Sequence, residues 1–332
     1  MGGQLFNPGE FSTVRQIDRQ FRLYYNHTLY PELRRLEMRR RRLLLVLTGC
    51  VILALSLVSA AVYVGLTALV LISAVPVVLL LVLMLHQMQQ FRQTFKPGIV
   101  GLLLEFIEQL PNIGQLEFSA GQCVSIEQFV ESGIFSTAPP PFYTGEDLIT
   151  GTIGELTFEL SEVNARTPSA VQGGLETLFQ GVFLHAVTSF PTEGQILMIP
   201  ASKRKYLTRT IRQFTRDGAE RVTAGLDPAF GQDFLVYATP DSAPSIPNQT
   251  PKPLRYFFPV SLQKYLRHYA SQTGHPVFAS FKGHDIYLAI SMSKDILEPG
   301  IFTSNLHFGR IQEFVRDIMM LITLVNRLDQ SH

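Results

Sequence analysis

Residues Leu43–Leu85 read LLLVLTGCVILALSLVSAAVYVGLTALVLISAVPVVLLLVLML, a run of 43 positions without one charged side chain. A single helix of this length would extend about 65 Å at ~1.5 Å per residue, roughly twice the ~30 Å hydrocarbon thickness of a bilayer. Two spans joined by a tight turn fit a bilayer better. Because Gly65 tolerates the backbone angles of such a turn, the run predicts spans at 43–63 and 67–85.

Positive charges flank this run on both sides, whereas the turn between the predicted spans carries no charge. Since Lys and Arg bias sets orientation, we expect both ends of the run to face the cytoplasm. Pro76 lies inside the second span, where neighbouring groups can accommodate it with a modest kink. The flanking residues expected to anchor the spans are Arg39, Arg40, Arg41, Arg42, Arg92 and Lys96.

The net charge of +1 conceals two parts of opposite sign. Residues 1–96 hold eleven Lys and Arg against four Asp and Glu, whereas residues 97–332 hold seventeen against twenty-three. The basic part surrounds the apolar run, where anionic inner-leaflet lipid would attract it. The two cysteines, Cys50 and Cys123, are too few for a disulfide framework or a cysteine zinc site.

The basic segment before the run, residues 1–42, contains aromatic and aliphatic residues at steps of three and four, which predicts an amphipathic helix. Such a helix could pack on the soluble part, lie in the headgroup layer or pair with a partner. The residues that carry the pattern are Phe11, Val14, Ile17, Phe21, Tyr24 and Tyr25.

Beyond the run, residues 86–111 predict a helical connector that opens at Pro97 and continues from the second span. Residues 112–332 are long enough for a domain with its own core. Strand pairs, interspersed helices and a long C-terminal helix predict an α+β domain with mostly antiparallel strands. Two hairpins are expected, with turns at Gly154-Glu155 and at 282–285. Further strands are expected at 178–187, 195–199 and 234–237, helices at 202–216 and 260–269, and an exposed loop at 241–253.

Several short strings in this region resemble a known family. The strings are FYTGEDLITGTIG at 142–154, FELSEV at 158–163, LFQGVF at 178–183 and SFKG at 280–283. They are similar to the bacterial membrane-protein family catalogued as domain of unknown function 3137. The resemblance implies a membrane-tethered cytoplasmic domain in the bacterial inner membrane, and it brings no catalytic residues with it. The family-like motif residues are Tyr143, Gly145, Glu146, Asp147, Gly151 and Glu162.

A catalytic constellation does not emerge from the sequence. The eight histidines are scattered, and they form neither a His-Glu-x-x-His pair nor a zinc spacing with cysteine. Glu146 and Asp147 stand side by side before a strand, but adjacent strand residues point to opposite faces, so a joint site would need a turn. Glu159 and Glu162 are likewise expected on opposite faces. We therefore predict neither a metal site nor a cofactor.

The tip sequence His284-Asp285 is interpreted as a solvated turn.

The clearest functional pattern is a basic stripe on the helix predicted after Ser202. Lys205, Arg209, Arg212 and Arg216 recur at steps of four, three and four, opposite an apolar side formed by Leu207, Ile211 and Phe214. Without residues 203–221, the soluble part holds ten basic against twenty-one acidic residues. The stripe could hold the domain against anionic lipid, recruit an acidic protein partner, or pair with carboxylates of the domain itself.

The combined interpretation is a multi-pass membrane protein with both termini in the cytoplasm, whose domain binds a partner or organises it at the membrane surface. Its expected partners are anionic inner-leaflet lipid and an unidentified protein; nucleic acid is disfavoured by the acidic domain, and oligomerisation stays open. The alternative is a membrane-bound hydrolase or other enzyme that uses Glu146 and Asp147.

Overall fold

A computed structural model of the protein describes residues 19–64, 67–110, 112–136, 138–169, 173–204, 207–239, 258–292 and 308–330. The chain divides into two compact units. The first comprises Met1–Phe106 with Leu297–Gln312, and the second comprises Ile107–Ile296 with Glu313–His332. Several sequence expectations fall outside the described residues, namely residues 11–17 of the amphipathic pattern, the turn residue Gly65 and the loop at 241–253.

The first unit is helical. A π-helical turn at Tyr25–Leu29 leads into α1 (Tyr30–Val64), and α2 follows at Thr67–Glu108. The helix Arg19–Ala60 is long and apolar enough to cross a membrane, and none of its most apolar stretch is buried in the protein. Among the described residues it is the one helix that meets this criterion. One long apolar helix near the N-terminus is thus shown.

Aromatic packing forms the core of the first unit. Phe21 and Tyr25 are buried, and their rings lie 6.0 Å and 4.7 Å from the ring of Phe308. The hydroxyl of Tyr24 donates to the carbonyl of Leu102 at 2.8 Å. In its described part, the amphipathic pattern therefore packs within the first unit, and none of these contacts tests packing on the α+β unit. The connector helix was expected to open at Pro97 and to continue from the second span. Helix α2 runs without interruption from Thr67 to Glu108, so the continuation is confirmed and Pro97 lies within the helix.

The second unit is built on a seven-stranded antiparallel sheet, which confirms the α+β expectation. Its strands are β1 (Glu117–Ser119), β2 (Phe142–Ile153), β3 (Leu156–Pro168), β4 (Leu175–Pro200), β5 (Glu220–Val222), β6 (Phe234–Ala238) and β7 (Val277–Ser291). Its helices are α3 (Ile126–Glu131), α4 (Thr208–Arg216), α5 (Phe230–Asp233), α6 (Val260–Thr273) and α7, which spans Phe308–Gln330 and enters this unit at Glu313.

The first predicted hairpin is confirmed. Strands β2 and β3 pair from Ile153 opposite Leu156 outward, and Gly154 has a φ of +59° in the turn between them. Glycine adopts such left-handed angles without the steric cost that a Cβ would bring. The turn residue and the alternating apolar pattern together fix this register.

The second predicted hairpin is also present, although β7 is assigned as one strand. Fifteen extended residues would separate its ends by about 50 Å, yet Ser291 N–H donates to the carbonyl of Pro276 at 2.9 Å. The strand therefore turns back on itself, and Gly283, with a φ of +59°, lies in the turn.

Strand β4 follows both arms of this hairpin. Its residues 181–187 pair with 285–291, and its residues 195–198 pair with 279–282, with register shifts between the two stretches. The strands predicted at 178–187 and 195–199 thus correspond to the two stretches of β4, which the register shifts separate. On its outer side, β4 pairs with β3 through its first half and with β6 through its second half.

Helices cover both faces of the sheet. On one face, Phe129 of α3 and Phe214 of α4 join a buried cluster with Phe183 and Phe278 of the strands. On the other face, Phe230 of α5 stacks on Phe234, and Phe258 contacts Phe281 edge to face. Such two-sided burial explains the nearly continuous apolar runs of β4 and β7.

Gly181 allows the closest backbone approach in the sheet. Its φ is +146°, and a Cβ at this position would lie 2.0 Å from the carbonyl oxygen of Ile290 and 2.8 Å from the amide nitrogen of Met292. Both neighbours are backbone atoms at the end of β7, so they cannot rotate away. Only glycine fits where β4 begins to pair with β7.

We expect Gly181→Ala to lower the free energy of unfolding by roughly 3 kcal/mol or more, because the strained φ and the backbone clash add. Thermal unfolding of the full chain in detergent measures the effect. The matched control is Gly231→Ala, where a Cβ would meet open space in helix α5. Equal melting temperatures for the two variants would contradict the packing described here.

Candidate functional site

The basic stripe lies on a helix whose other side is in the core. Leu207 and Phe214 are buried, and Ile211 packs against the same cluster. Arg212 and Arg216 are exposed on the opposite side. Helix α4 begins at Thr208, later than the predicted Ser202, because residues Ala201–Lys203 form a separate 3-10 turn. Burial of the apolar side therefore leaves the described arginines facing solvent.

Neither Arg212 nor Arg216 forms an ion pair with a carboxylate among the described residues. This observation disfavours pairing of these two arginines with the described acidic groups of the domain. Lys205 lies outside the described residues, and so does the side chain of Arg209. We call Arg212 and Arg216, with Lys205 and Arg209 of the same stripe, the basic face.

The arginines that flank the apolar run are not equivalent. Arg39, Arg41 and Arg42 are exposed, whereas Arg40 is buried and binds Glu37 through two contacts, Nε to Oε2 at 2.8 Å and Nη2 to Oε1 at 2.5 Å. Such a bidentate pair offsets the desolvation of both charges. Lys96 is also buried, and the side chain of Arg92 lies outside the described residues. Arg40 and Lys96 thus differ from the exposed anchors that the sequence suggested.

The family-like motif shapes a packing surface. A Cβ on Gly145 would lie 2.5 Å from the carbonyl oxygen of Glu162 and 2.6 Å from the Cβ of Cys123, and one on Gly151 would lie 2.5 Å from a methyl group of Leu116. The hydroxyl of Tyr143 donates to the carbonyl of Val124 at 2.8 Å. The glycines and the tyrosine therefore let the segment 115–124 lie close against β2 and β3.

The same motif brings three carboxylates together. Ligand atoms of Glu146, Asp147 and Glu162 lie within 4.8 Å of one another. In a regular strand Glu146 and Asp147 would point to opposite faces, so the sequence required a turn for a joint site, and a β-bulge supplies this break in the strand. The register shifts between Glu146 and Ile149, and Asp147 adopts a φ of +62°. The bulge inserts one extra residue and redirects its side chain.

This acidic cluster has the oxygen donors that a hard divalent cation takes. Exposed acidic groups also gather without an ion; here Glu146 and Asp147 are half-buried and Glu162 is 9% exposed. Within the described residues, the group includes neither a histidine nor a cysteine. The donor set alone therefore does not make the cluster a metal centre or a catalytic centre.

A second polar cluster, which the sequence did not single out, is centred on His185 of β4. Its Nδ1 lies 3.0 Å from Glu159 Oε1 on β3, and its Nε2 lies 2.7 Å from Asp285 Oδ1 on β7. Gln128 of α3 contacts both Glu159 and His185 Nδ1. The imidazole stacks on Tyr287, with the ring centroids 5.0 Å apart. We call His185, Glu159, Asp285 and Gln128 the histidine cluster.

Electrostatics in the histidine cluster favour the charged imidazolium. Burial alone lowers the pKa of His185, but the hydrogen bonds to Glu159 and Asp285 and the two negative charges together raise it above its ordinary value. Burial, followed by the charges of Asp285 and Glu131, raises the pKa of Tyr287 as well, so its hydroxyl stays protonated. Asp285 thus belongs to a network between strands, whereas the sequence interpreted it as part of a solvated tip.

The signal for this cluster was weak in the sequence. Glu159 and His185 are direct partners in the β3–β4 register, and Asp285 pairs with Val187 two residues further along β4. Recognising the cluster requires the registers of two strand pairs. Neighbouring residues along the chain do not reveal it.

The left-handed conformation of Asp147 yields a prediction that separates the effect of backbone strain on stability from the effect of the carboxylate charge. Asp147→Gly and Asp147→Ala remove the carboxylate equally, but only alanine keeps a Cβ at a φ of +62°. We expect the glycine variant to be more stable than the alanine variant by about 1 kcal/mol. Thermal unfolding of the full chain measures the difference.

The matched control is the same pair of substitutions at Glu117, an exposed position of strand β1. There alanine should be the more stable variant, because glycine loses more backbone freedom on folding. The same sign at both positions would contradict the left-handed conformation of Asp147.

Comparison with known proteins gives one family match. No curated protein and no solved structure matches the chain. The matched residues include the LFQGVF and SFKG strings, whereas FYTGEDLITGTIG and FELSEV precede them. Residues 177–330 match the family described as Protein of unknown function (DUF3137), which supports the resemblance seen in the sequence.

Proposed function

We propose that the chain is a multi-pass protein of the bacterial inner membrane, and that its α+β unit is a cytoplasmic scaffold that binds anionic groups at the membrane surface. The exposed apolar surface of α1 carries the first part of this proposal. Leu45 is 72% exposed, Ile52 62% and Leu55 64%. A contiguous apolar surface of this kind is unfavourable in water and is suited to lipid.

The proposed topology is a hairpin with spans at 43–63 and 67–85. Helix α2 supplies the second span, and its described side chains Leu79 and Leu85 are exposed like those of α1. Exposed Arg39, Arg41 and Arg42 stand before the first span. Since positive charges stay in the cytoplasm, they favour a cytoplasmic N-terminus, and an even number of spans returns the C-terminus to the same side.

Cysteine labelling of the full chain in bacterial cells tests this topology. In a background with Cys50→Ala and Cys123→Ala, we expect Tyr63→Cys to react with a membrane-impermeant maleimide in intact cells. Tyr63 is 92% exposed near the end of α1. Glu155→Cys, in the exposed β2–β3 turn, should react only after permeabilisation. Reaction of Glu155→Cys in intact cells would overturn the hairpin.

The partner we favour for the basic face is the phosphate-bearing headgroup layer of the inner leaflet. Arg212 and Arg216 are exposed and lack a described ion-pair partner, whereas the rest of the soluble part is strongly acidic. A membrane-tethered domain always has its own bilayer nearby, so the lipid surface is present at a high effective concentration. Each arginine near an anionic surface contributes about 1 kcal/mol. The face therefore orients the domain more than it anchors the chain.

Headgroup proximity is the measurement for this face. The full chain carries an environment-sensitive probe at exposed Gln213 in the cysteine-free background and is reconstituted with headgroup spin-labelled lipid. We expect quenching in bilayers containing anionic lipid, and a docking equilibrium weakened roughly 30-fold by Arg212→Gln with Arg216→Gln. High salt should act in the same direction.

The matched control removes two other arginines, Arg166→Gln with Arg267→Gln, and should leave the quenching unchanged. Quenching that is equal in neutral and anionic bilayers would contradict lipid docking. Quenching that appears only after an acidic protein is added would assign the face to a protein partner instead.

The enzyme alternative is the weaker proposal. The convergence of Glu146, Asp147 and Glu162 favours it more than the sequence did, because the two carboxylates now meet a third. Hydrolysis also needs a nucleophile or a bound metal beside such acids. The described cluster supplies carboxylates alone.

A further inference from the structure

We propose that the histidine cluster is a pH-dependent link between strands. Imidazolium His185 of β4 donates hydrogen bonds to β3 and to the β7 hairpin tip, and loss of its proton breaks one of these bonds. The cluster belongs to the second unit and does not depend on the membrane topology or on the basic face. Its components come from four elements, β3, β4, β7 and α3.

The geometry requires two donors on one ring. A neutral imidazole has a single N–H, whereas imidazolium has two. His185 faces a carboxylate oxygen at each nitrogen, 3.0 Å on one side and 2.7 Å on the other. Only the charged form donates to both Glu159 and Asp285. In the neutral form, one ring lone pair would face a carboxylate.

Gln128 defines the other state. Its amide nitrogen lies 3.0 Å from His185 Nδ1 and also contacts Glu159, while its amide oxygen accepts from Ser125 N–H in the cap of α3. When His185 is neutral, Nδ1 can accept the Gln128 N–H and Nε2–H can still donate to Asp285. Deprotonation therefore breaks the hydrogen bond from His185 to Glu159 and leaves the one to Asp285 in place.

Loss of the positive charge on His185 has a large effect because the titratable groups around it are acidic. The groups that face His185 and Tyr287 are Glu159 from β3, Asp285 from β7 and Glu131 from α3, all of them acidic. At the hairpin tip Lys282 is exposed, and His284 Nδ1 contacts the carbonyl of Thr188. Among the described groups of the cluster, His185 is the only one that can carry positive charge. Its deprotonation leaves the carboxylates to repel one another.

The pH dependence follows from the raised pKa of His185. A group whose pKa is higher in the folded state contributes stability that is complete below its unfolded value of about 6.5 and is lost as pH rises through the folded value. Both hydrogen bonds of His185 should thus be present in mildly acidic solution, and the one to Glu159 should be lost in alkaline solution.

Hydrogen exchange of the full chain in detergent, read by mass spectrometry over peptides at 158–163 and 282–288, tests the proposal. After correction for the intrinsic pH dependence of exchange, we expect protection at 158–163 to fall about tenfold as pH rises through the pKa of His185, the effect of losing one charged hydrogen bond. Protection at 282–288 should fall less, because the hydrogen bond from His185 to Asp285 stays in place. His185→Gln should show low protection with no such transition. His268→Gln, at an exposed position of α6, is the matched control and should behave as the parent.

Two variants keep the test decisive if His185→Gln fails to fold. Glu159→Gln and Asp285→Asn retain the imidazole but remove one stabilising charge each, so each should move the transition toward lower pH. A merely structural cluster would lose protection in these variants without a shift of the midpoint. Parent protein whose corrected exchange at 158–163 is flat between about pH 5.5 and 9, a window that brackets the ordinary and the raised pKa of histidine, would overturn the inference.

Discussion

The pairing of β4 with β7 is the constraint on which the α+β unit depends. Strand β4 contacts β3, β6 and both arms of the β7 hairpin, so it links parts of the chain that are far apart in sequence. The pairing begins at Gly181, where the backbones of the two strands come closer than any side chain would permit. Once this register is set, alternation along β4 decides which residues enter each core and where His185 lies.

The sequence was most informative where a local signal and the hydrophobic pattern agreed. Gly154 between two alternating runs predicted the β2–β3 hairpin, and the spacing of Leu207, Ile211 and Phe214 predicted the buried side of α4. The C-terminal helix was likewise evident, because its apolar stripe repeats over many turns. In each case residues close in sequence are also close in space, so the pattern carries the structural information.

Tertiary context decided the features that the sequence did not predict. Pro97 is a strong local boundary signal, but it lies inside α2, where the preceding turns continue regardless. Asp147 is an ordinary strand residue until the bulge forces it into a left-handed conformation, and this conformation then gathers the acidic cluster. His185 meets Glu159 and Asp285 only through pairings across 26 and 100 residues. Periodicity within a single segment cannot contain such relations.

The buried cations Arg40 and His185 have carboxylates beside them, whereas the described arginines of the basic face are exposed. This difference determines what the basic face can bind. The buried Arg40 is neutralised by Glu37, and the buried His185 is flanked by two carboxylates, so each of these charges has an opposite charge beside it. The exposed Arg212 and Arg216 can instead act on another molecule. A free domain with two such arginines would bind a bilayer weakly, since a few kcal/mol barely offset the loss of translational freedom. In the proposed topology the domain is held by membrane spans and would not lose that freedom again, because the surface is present at a high effective concentration. A contribution of about 2 kcal/mol then suffices to favour one orientation strongly, so weak charges on a tethered domain are suited to setting which face it presents to a partner.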